Sequence, residues 1–290
     1  MQEDHNMITK HYKVAGHTFA ISGSDELFEQ MENYEPFECE GIEPLFTLTE
    51  DSGAVPEYME VYRIEGDRTT VIHGHTASGN DVFEFARRRT KSEGCLICSK
   101  DHREGRLILK RRIYKTVFND ALMMLFALAT AGKDTLLLHA VAVSQERKGY
   151  LFLGPSGEGK STHARLWLEH VEGTELVNDD FPVVRDGVVY GSPWGWGIPC
   201  YRNVCYPIGG IVCLNQAPYN KIQRLNGVEA YMNLYPSVLG NGLGLVEEID
   251  EGWHQTEYAL ASTIPMWHLD CLPDEAAARL CHDTITNQGI

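Results

Sequence analysis

The sequence lacks any apolar run long enough to span a bilayer as a helix, and no basic segment followed by an apolar one opens the chain. Cysteine is also scarce: eight residues in 290 fall far below the density of a disulfide scaffold. Most of these cysteines stand in apolar stretches, which is typical of reduced thiols in a core. We therefore expect a cytoplasmic protein that has no membrane partner and no disulfide framework.

Positive charge is in short supply as well. The chain has 25 Lys and Arg against 41 Asp and Glu, a formal net charge of −16. Broad nucleic-acid binding depends on surface cations that neutralise phosphates, so the composition argues against a nucleic-acid partner. Two short basic runs, residues 87–89 and 110–112, are typical of solvated faces. The one Cys-x-x-Cys pair, Cys95 and Cys98, has no second pair to complete a zinc site and indicates core thiols.

The hydrophobic pattern changes near residue 110. Before it, short β-prone segments separated by glycines predict a small antiparallel β domain over residues 1–110. After it, a helical face over 117–129 ends at Gly132, and apolar strands predicted over 136–143, 150–153 and 175–177 alternate with a helix over 162–170. A last strand near 265–272 and a helix over 276–285 close the chain. The pattern predicts a mixed α/β fold with a second domain over residues 111–290.

The most informative motif is a glycine-rich loop (residues 154–161) that reads G-x-x-x-x-G-K-S. An apolar strand precedes it and an amphipathic helix follows it, the context in which this motif binds nucleotide phosphates. Glycines allow successive backbone N–H groups to turn toward phosphate oxygens, and the helix directs its positive dipole end at the anion. We expect a nucleotide and Mg²⁺ as cofactors. The loop and the helical residue that follows it comprise Gly154, Pro155, Ser156, Gly157, Glu158, Gly159, Lys160, Ser161 and Thr162.

Two adjacent carboxylates, Asp179 and Asp180, follow the apolar strand predicted after that helix. Neighbouring side chains at a strand end point in different directions, so one carboxylate can hold Mg²⁺ while the other accepts a proton. Which acid takes which role stays open. His139 lies in the apolar run of residues 136–143; a neutral core histidine and a site residue are equally good interpretations of it.

Three blocks carry a resemblance to a known family: residues 138–143, 152–167 and 176–185. Together they resemble the HPr kinase/phosphorylase-like group, which shares its nucleotide fold with ATP-dependent phosphoenolpyruvate carboxykinase. The similarity covers roughly residues 115 to 285, and it is most specific between His139 and Arg185. The first 110 residues do not resemble the N-terminal domain of the bifunctional HPr kinases.

The resemblance implies roles for individual residues. Residues 154–162 would hold the ATP phosphates, with Lys160 on the β and γ phosphates and Ser161 and Asp180 serving Mg²⁺. Asp179 matches the acid that acts as general base on a serine hydroxyl. His139 matches a histidine near the transferred phosphate.

The chain departs from the bifunctional HPr kinases after the acid pair. Residues 191–203 read GSPWGWGIPCYRN, without the protein-substrate loop and signature segment of those enzymes. The segment is similar instead to smaller HPr-kinase-like proteins, some of which phosphorylate serine in peptide natural-product precursors. Many of those have a small residue and a lysine after a Trp-x-Gly stretch, a pattern that Trp196 breaks. Arg202 is the nearest cation that can replace the lysine beside the γ phosphate.

The sequence therefore predicts an ATP-dependent kinase that phosphorylates a hydroxyl, most simply a serine of a peptide or small protein. The N-terminal β domain would dock the acceptor. A homo-oligomer is compatible with the resemblance, because related kinases form rings. Two alternatives stay open: a phosphoenolpyruvate carboxykinase-like enzyme, and a regulatory protein that binds ATP without catalysis.

Overall fold

A computed structural model describes residues 7–41, 43–65, 69–87, 92–110, 115–195, 198–241, 245 and 247–287. The chain forms two compact units, residues 1–130 with 242–247 and residues 131–241 with 248–290. Over these ranges, each unit is built on a nine-stranded mixed sheet, and helices accompany both sheets. The expected mixed α/β fold is thus confirmed, and most elements of the first unit are strands. None of the helices in the described ranges is both long enough and apolar enough to cross a membrane.

The described residues of the first unit form nine strands and two helices. The strands are β1 (Ile8–Val14), β2 (His17–Gly23), β3 (Glu38–Cys39), β4 (Thr47–Asp51), β5 (Tyr58–Glu65), β6 (Thr69–Thr76), β7 (Asp81–Arg87), β8 (Ser92–Cys98) and β9 (Glu104–Leu109). The helices are α1 (Asp25–Phe28) and α2 (Lys115–Thr130), and a 3₁₀ helix covers Glu32–Phe37. The strand order is β3-β1-β2-β4-β9-β8-β7-β6-β5.

This sheet differs from the expected antiparallel one because β2 pairs with β4, and β4 with β9, in parallel. Helix α2 packs on β7, β8 and β9 and buries nearly all of its side chains. Phe126 of α2 meets Phe19 and Phe46 edge to face, with ring centroids 6.1 and 6.4 Å apart. The predicted domain boundary at 110/111 therefore differs from the boundary of the compact unit, which falls after Thr130, because α2 belongs to the core of the first sheet.

In the second unit, the part of the chain that the structure describes contains the other nine strands and four helices. The strands are β10 (Thr135–Leu137), β11 (Val141–Gln145), β12 (Lys148–Leu153), β13 (Glu175–Asn178), β14 (Val183–Arg185), β15 (Val188–Tyr190), β16 (Cys205–Gln216), β17 (Lys221–Leu225) and β18 (Met266–Cys271). The helices are α3 (Lys160–His170), α4 (Val228–Leu234), α5 (Glu247–Thr263) and α6 (Glu275–Thr286), with a 3₁₀ helix at Tyr235–Ser237. The main path of the sheet runs β10-β14-β15-β16-β12-β11-β13, and β18 pairs with β16 and β17.

Strand β16 organises this sheet. It pairs antiparallel with β15 through its first residues, and parallel with β12 and β18 farther along. Helices α3 and α6 pack together over a core that includes Phe152, Trp167 and Trp267. The predicted strand over 136–143 is two strands, because the backbone N–H groups of residues 138–140 bond to the carbonyls of Pro182, Ser237 and Asp180, none of which belongs to a strand.

Candidate functional site

The sequence motifs of the second unit meet at one edge of its sheet. Strand β11 runs antiparallel to both β12 and β13, with Val141 opposite Phe152 and Ala142 opposite Asn178. The start of β11 therefore lies beside the ends of β12 and β13. His139 precedes β11, while the glycine-rich loop follows β12 and the acid pair follows β13, so all three stand at the same edge.

The glycine-rich loop has a backbone that requires its glycines. Gly157 and Gly159 adopt φ values of 86° and 101°, in the left-handed region that side chains avoid. Among the described residues, no heavy atom lies within 4 Å of where a Cβ on either glycine would stand. Helix α3 begins directly after Gly159, at Lys160. The loop therefore has open space over its glycines and a helix N-terminus behind it, an arrangement suited to an anion.

Two polar side chains fix the shape of this loop. Lys160 Nζ donates to the carbonyl oxygens of Gly154 and Pro155 at 2.8 and 3.2 Å. Gln216, the last residue of β16, donates through Nε2 to the Gly157 carbonyl at 2.8 Å and through its backbone N–H to the Glu158 carboxylate. No sequence pattern indicates Gln216, because its role depends on how β16 pairs with β12.

Burial lowers the pKa of Lys160, while the nearby carboxylates of Asp180 and Glu158 oppose that shift. The Lys160 side chain is therefore close enough to Asp180 for their charges to interact. Ser161 is exposed on the first turn of α3, and Thr162 is half-buried beside it. Pro155 and Ser156 are exposed in the loop.

An acidic turn (residues 178–181) is built on Asn178, which is fully buried. Its Oδ1 accepts hydrogen bonds from the backbone N–H groups of Asp180 at 2.9 Å and Phe181 at 2.7 Å. Its Nδ2 donates to Ser192 Oγ at 3.1 Å and to the Trp194 carbonyl at 3.0 Å. Asn178 thus joins the acidic turn to the segment that follows β15. Asn at a strand end favours a turn, so the sequence itself indicates this role of Asn178.

The two carboxylates of this turn face different surroundings. Asp180 Oδ1 lies 3.4 Å from His139 Nε2. Asp179 is buried, 6% exposed, and a Cβ added to Gly195 would stand only 2.3 Å from Asp179 Oδ1. The segment after β15 therefore covers Asp179 closely, and only a glycine at 195 permits that approach.

His139 interacts with both Lys160 and Asp180. Burial, with a smaller contribution from the positive charge of Lys160, lowers the pKa of His139 to about 4. Its ring stacks on Phe181, with centroids 5.5 Å apart. At neutral pH His139 is therefore an uncharged imidazole that donates or accepts hydrogen bonds at the sheet edge.

Arg202 stands in the segment between β15 and β16. Its guanidinium donates to the Leu176 carbonyl at 2.8 Å and pairs with Glu175 at 2.7 Å, at the opposite end of β13 from the acid pair. The structure does not bring this guanidinium to Lys160 and Asp180. Trp194 is fully buried and acts as a core residue, and Trp196 lies outside the described residues.

A pocket of about 450 Å³ adjoins the glycine-rich loop. Gly157 and Gly159 line it together with the apolar side chains of Leu166, Pro218 and Leu272. This volume falls within the range of small-molecule sites, and an apolar wall beside a polar loop suits a flat heterocycle joined to an anion.

The chain matches no profile of a known protein family and no curated protein sequence.

Proposed function

We propose that the protein is an ATP-dependent kinase of the P-loop type that transfers the γ phosphate of Mg·ATP to a hydroxyl group. One observation carries the proposal: the glycine-rich loop, the acidic turn and His139 meet at a single edge of one sheet. Phosphoryl transfer depends mainly on positioning and charge neutralisation, and this edge offers a cation, two carboxylates and a neutral imidazole together.

The residues at the edge fit both cofactors. Loop glycines with open space above them suit phosphate oxygens, and the pocket beside them suits the nucleoside. Bound Mg·ATP would supply the phosphoryl group. Lys160 would exchange its two carbonyl partners for phosphate oxygens, and Ser161 with Asp180 would hold Mg²⁺, since Asp180 is the acid on the Lys160 side.

Asp179 is the remaining carboxylate, and we assign it to proton acceptance from the acceptor hydroxyl. It lies under Gly195, and its charge also acts on Cys200 and Tyr201. The acceptor would then approach from the side of Gly195, Cys200 and Tyr201. A serine of a peptide or small protein is the acceptor that best suits an approach along a chain segment.

The burial of Asp179 also favours one alternative, a regulatory protein that binds ATP without transferring phosphate. A phosphoenolpyruvate carboxykinase-like reaction has less support, because it needs arginines for a carboxylate substrate and Arg202 is already paired with Glu175.

Transfer of labelled γ phosphate from Mg·ATP tests the proposal. Wild type, Asp179→Asn and a control, Asp186→Asn, would each be incubated with a host-cell extract that is then separated into proteins, peptides and small molecules. Asp186 is an exposed carboxylate in the turn between β14 and β15. Asp186→Asn therefore makes the same chemical change as Asp179→Asn, but outside the site.

We expect label in one fraction with wild type and with Asp186→Asn, and at least 100-fold less with Asp179→Asn. ATP affinity should be similar in all three proteins. Tight ATP binding without label in any fraction would refute the kinase proposal and favour the regulator.

A further inference from the structure

Three histidines of the first unit converge on one buried aspartate. His73 and His75 are two residues apart on β6 and therefore point to the same face of the sheet. Asp81 on β7 stands directly opposite His75 in the antiparallel pair. His102 reaches the same carboxylate from the turn between β8 and β9.

The distances within this cluster are short. Asp81 Oδ1 lies 2.8 Å from His73 Nε2 and 3.2 Å from His75 Nδ1, and Asp81 Oδ2 lies 2.9 Å from His102 Nε2. The three ligand atoms of His73, His75 and Asp81 all lie within 4.8 Å of one another. Neighbouring ligands of one ion, each about 2 Å from it, are separated by about 3 Å.

We propose that His73, His75 and Asp81 form a binding site for one divalent transition-metal ion of the zinc type. Two imidazole nitrogens and one carboxylate oxygen are the donor set of many catalytic zinc sites and of non-haem iron(II) sites. His102 is the outer partner: it holds the second oxygen of Asp81, and such partners orient a metal-binding carboxylate. The site is independent of the nucleotide site in the second unit.

The surrounding residues hold the ligands in place. The His73 ring stacks on Phe83 with centroids 4.7 Å apart and an interplanar angle of 16°. The backbone N–H of His102 donates to the Ser99 carbonyl at 2.9 Å, which fixes the turn that carries it. His73, Asp81 and His102 are buried, so their positions are set by packing as well as by hydrogen bonds. Preorganised ligands of this kind are what a selective metal site requires.

The position of His75 favours a metal site over a purely structural hydrogen-bond network. Hydrogen bonds from His73 and His102 already supply one partner to each oxygen of Asp81. A third imidazole that turns its Nδ1 toward the same Oδ1 adds a ligand and is not needed to satisfy the carboxylate. The His75 side chain is 29% exposed, so water reaches the cluster from its side. Three protein ligands would leave a coordination position for a water molecule there.

Cys95 and Cys98 do not form a competing zinc pair. They are three residues apart on β8 and therefore lie on opposite faces of the sheet. Cys95 packs with Val82 and Ile108 on one face, while Cys98 is paired with Asp81 on the other. The two thiols cannot both reach one ion without rearranging the strand.

Metal binding by the full chain, without nucleotide, tests the proposal. The protein would be stripped with a chelator, dialysed and titrated with Zn²⁺, and in parallel with Co²⁺, whose visible absorption reports imidazole and carboxylate ligands. The variants are His75→Ala, Asp81→Asn and a control, His11→Ala. His11 is a half-buried histidine on β1, outside the cluster.

We expect one Zn²⁺ per chain for wild type and His11→Ala, with an affinity at least 100-fold lower in His75→Ala and Asp81→Asn. Zn²⁺ should also raise the Tm of wild type but not that of His75→Ala. Because His75 is partly exposed, its alanine variant should keep the fold, which circular dichroism checks. A wild-type protein that binds no stoichiometric ion, or variants that bind it as tightly as wild type, would overturn the proposal.

Discussion

Replacing Asn178 tests whether this buried amide joins the acidic turn to the segment after β15. Asn178→Ala removes two hydrogen bonds to backbone N–H groups and the donor to Ser192 and Trp194. An unsatisfied buried group costs about 1–3 kcal/mol, but Asp180 and Phe181 are only half-buried, so water replaces part of the loss. We expect the free energy of unfolding to fall by about 3 kcal/mol. The Tm of the second unit should fall by roughly 6–12 °C.

Asn178→Asp tests the acceptor and the donor of the Asn178 amide separately. A carboxylate still accepts from both N–H groups, but it donates nothing and places a negative charge at a site with no exposure. This variant should be destabilised at pH 7. It should regain part of the loss, relative to wild type at the same pH, when the introduced carboxyl is protonated in acid.

Tryptophan fluorescence during urea unfolding measures these changes in the second unit alone, because all five tryptophans of the chain lie between residues 167 and 267. Asn233→Ala is the matched control, since Asn233 is only half-buried and its amide donates to the Glu229 carbonyl of its own helix through a solvent-exposed hydrogen bond. We expect the control within 0.5 kcal/mol of wild type. The same small change for Asn178→Ala would refute the role assigned to Asn178.

Three further predictions concern the second unit. Gly195→Ala places a methyl group against the Asp179 carboxylate, so it should reduce phosphate transfer about 100-fold in the labelling assay with ATP affinity unchanged. The control is Gly41→Ala, whose Cβ has ordinary contacts, and this variant should behave as wild type in the same assay. Ala217→Trp fills the pocket beside the glycine-rich loop and should weaken ATP binding at least tenfold in calorimetry; equal weakening of tripolyphosphate binding would contradict a nucleoside site there. Burial lowers the pKa of His163 to about 4. As the pH falls from about 6.5 to 4, the unfolded chain gains a proton that the folded chain does not, so stability should be lost by roughly 3 kcal/mol. His163→Gln should flatten that dependence in urea unfolding measured at several pH values, and an unchanged slope would show that other groups cause it.

Local sequence predicted the elements on either side of the glycine-rich loop, because each is specified by its own residues. Strand β12 and helix α3 lie where the apolar run and the helical face indicated. The acid pair stands directly after β13, at the expected strand end. These features need only the chain direction and the period of the apolar residues.

Features that depend on partners far along the chain were not predictable in this way. The sequence predicted neither β8 nor the parallel pairs of β4, because sheet order depends on contacts between distant segments. The apolar face of α2 predicted a helix but not the sheet that it covers. His73 and His75 stand at a spacing that puts them on one face, yet only the register of β6 on β7 brings Asp81 opposite them.

The length of strand β16 determines where Gln216 meets the glycine-rich loop. Its pairing with β12 fixes where the strand ends, and Gln216 at that end holds the loop through two hydrogen bonds. Deleting one residue from the stretch that pairs with β12 would shift the strand end by about 3.3 Å and turn Gln216 to the other face. A change in the length of β16 would therefore disturb the glycine-rich loop more than most side-chain substitutions within the strand.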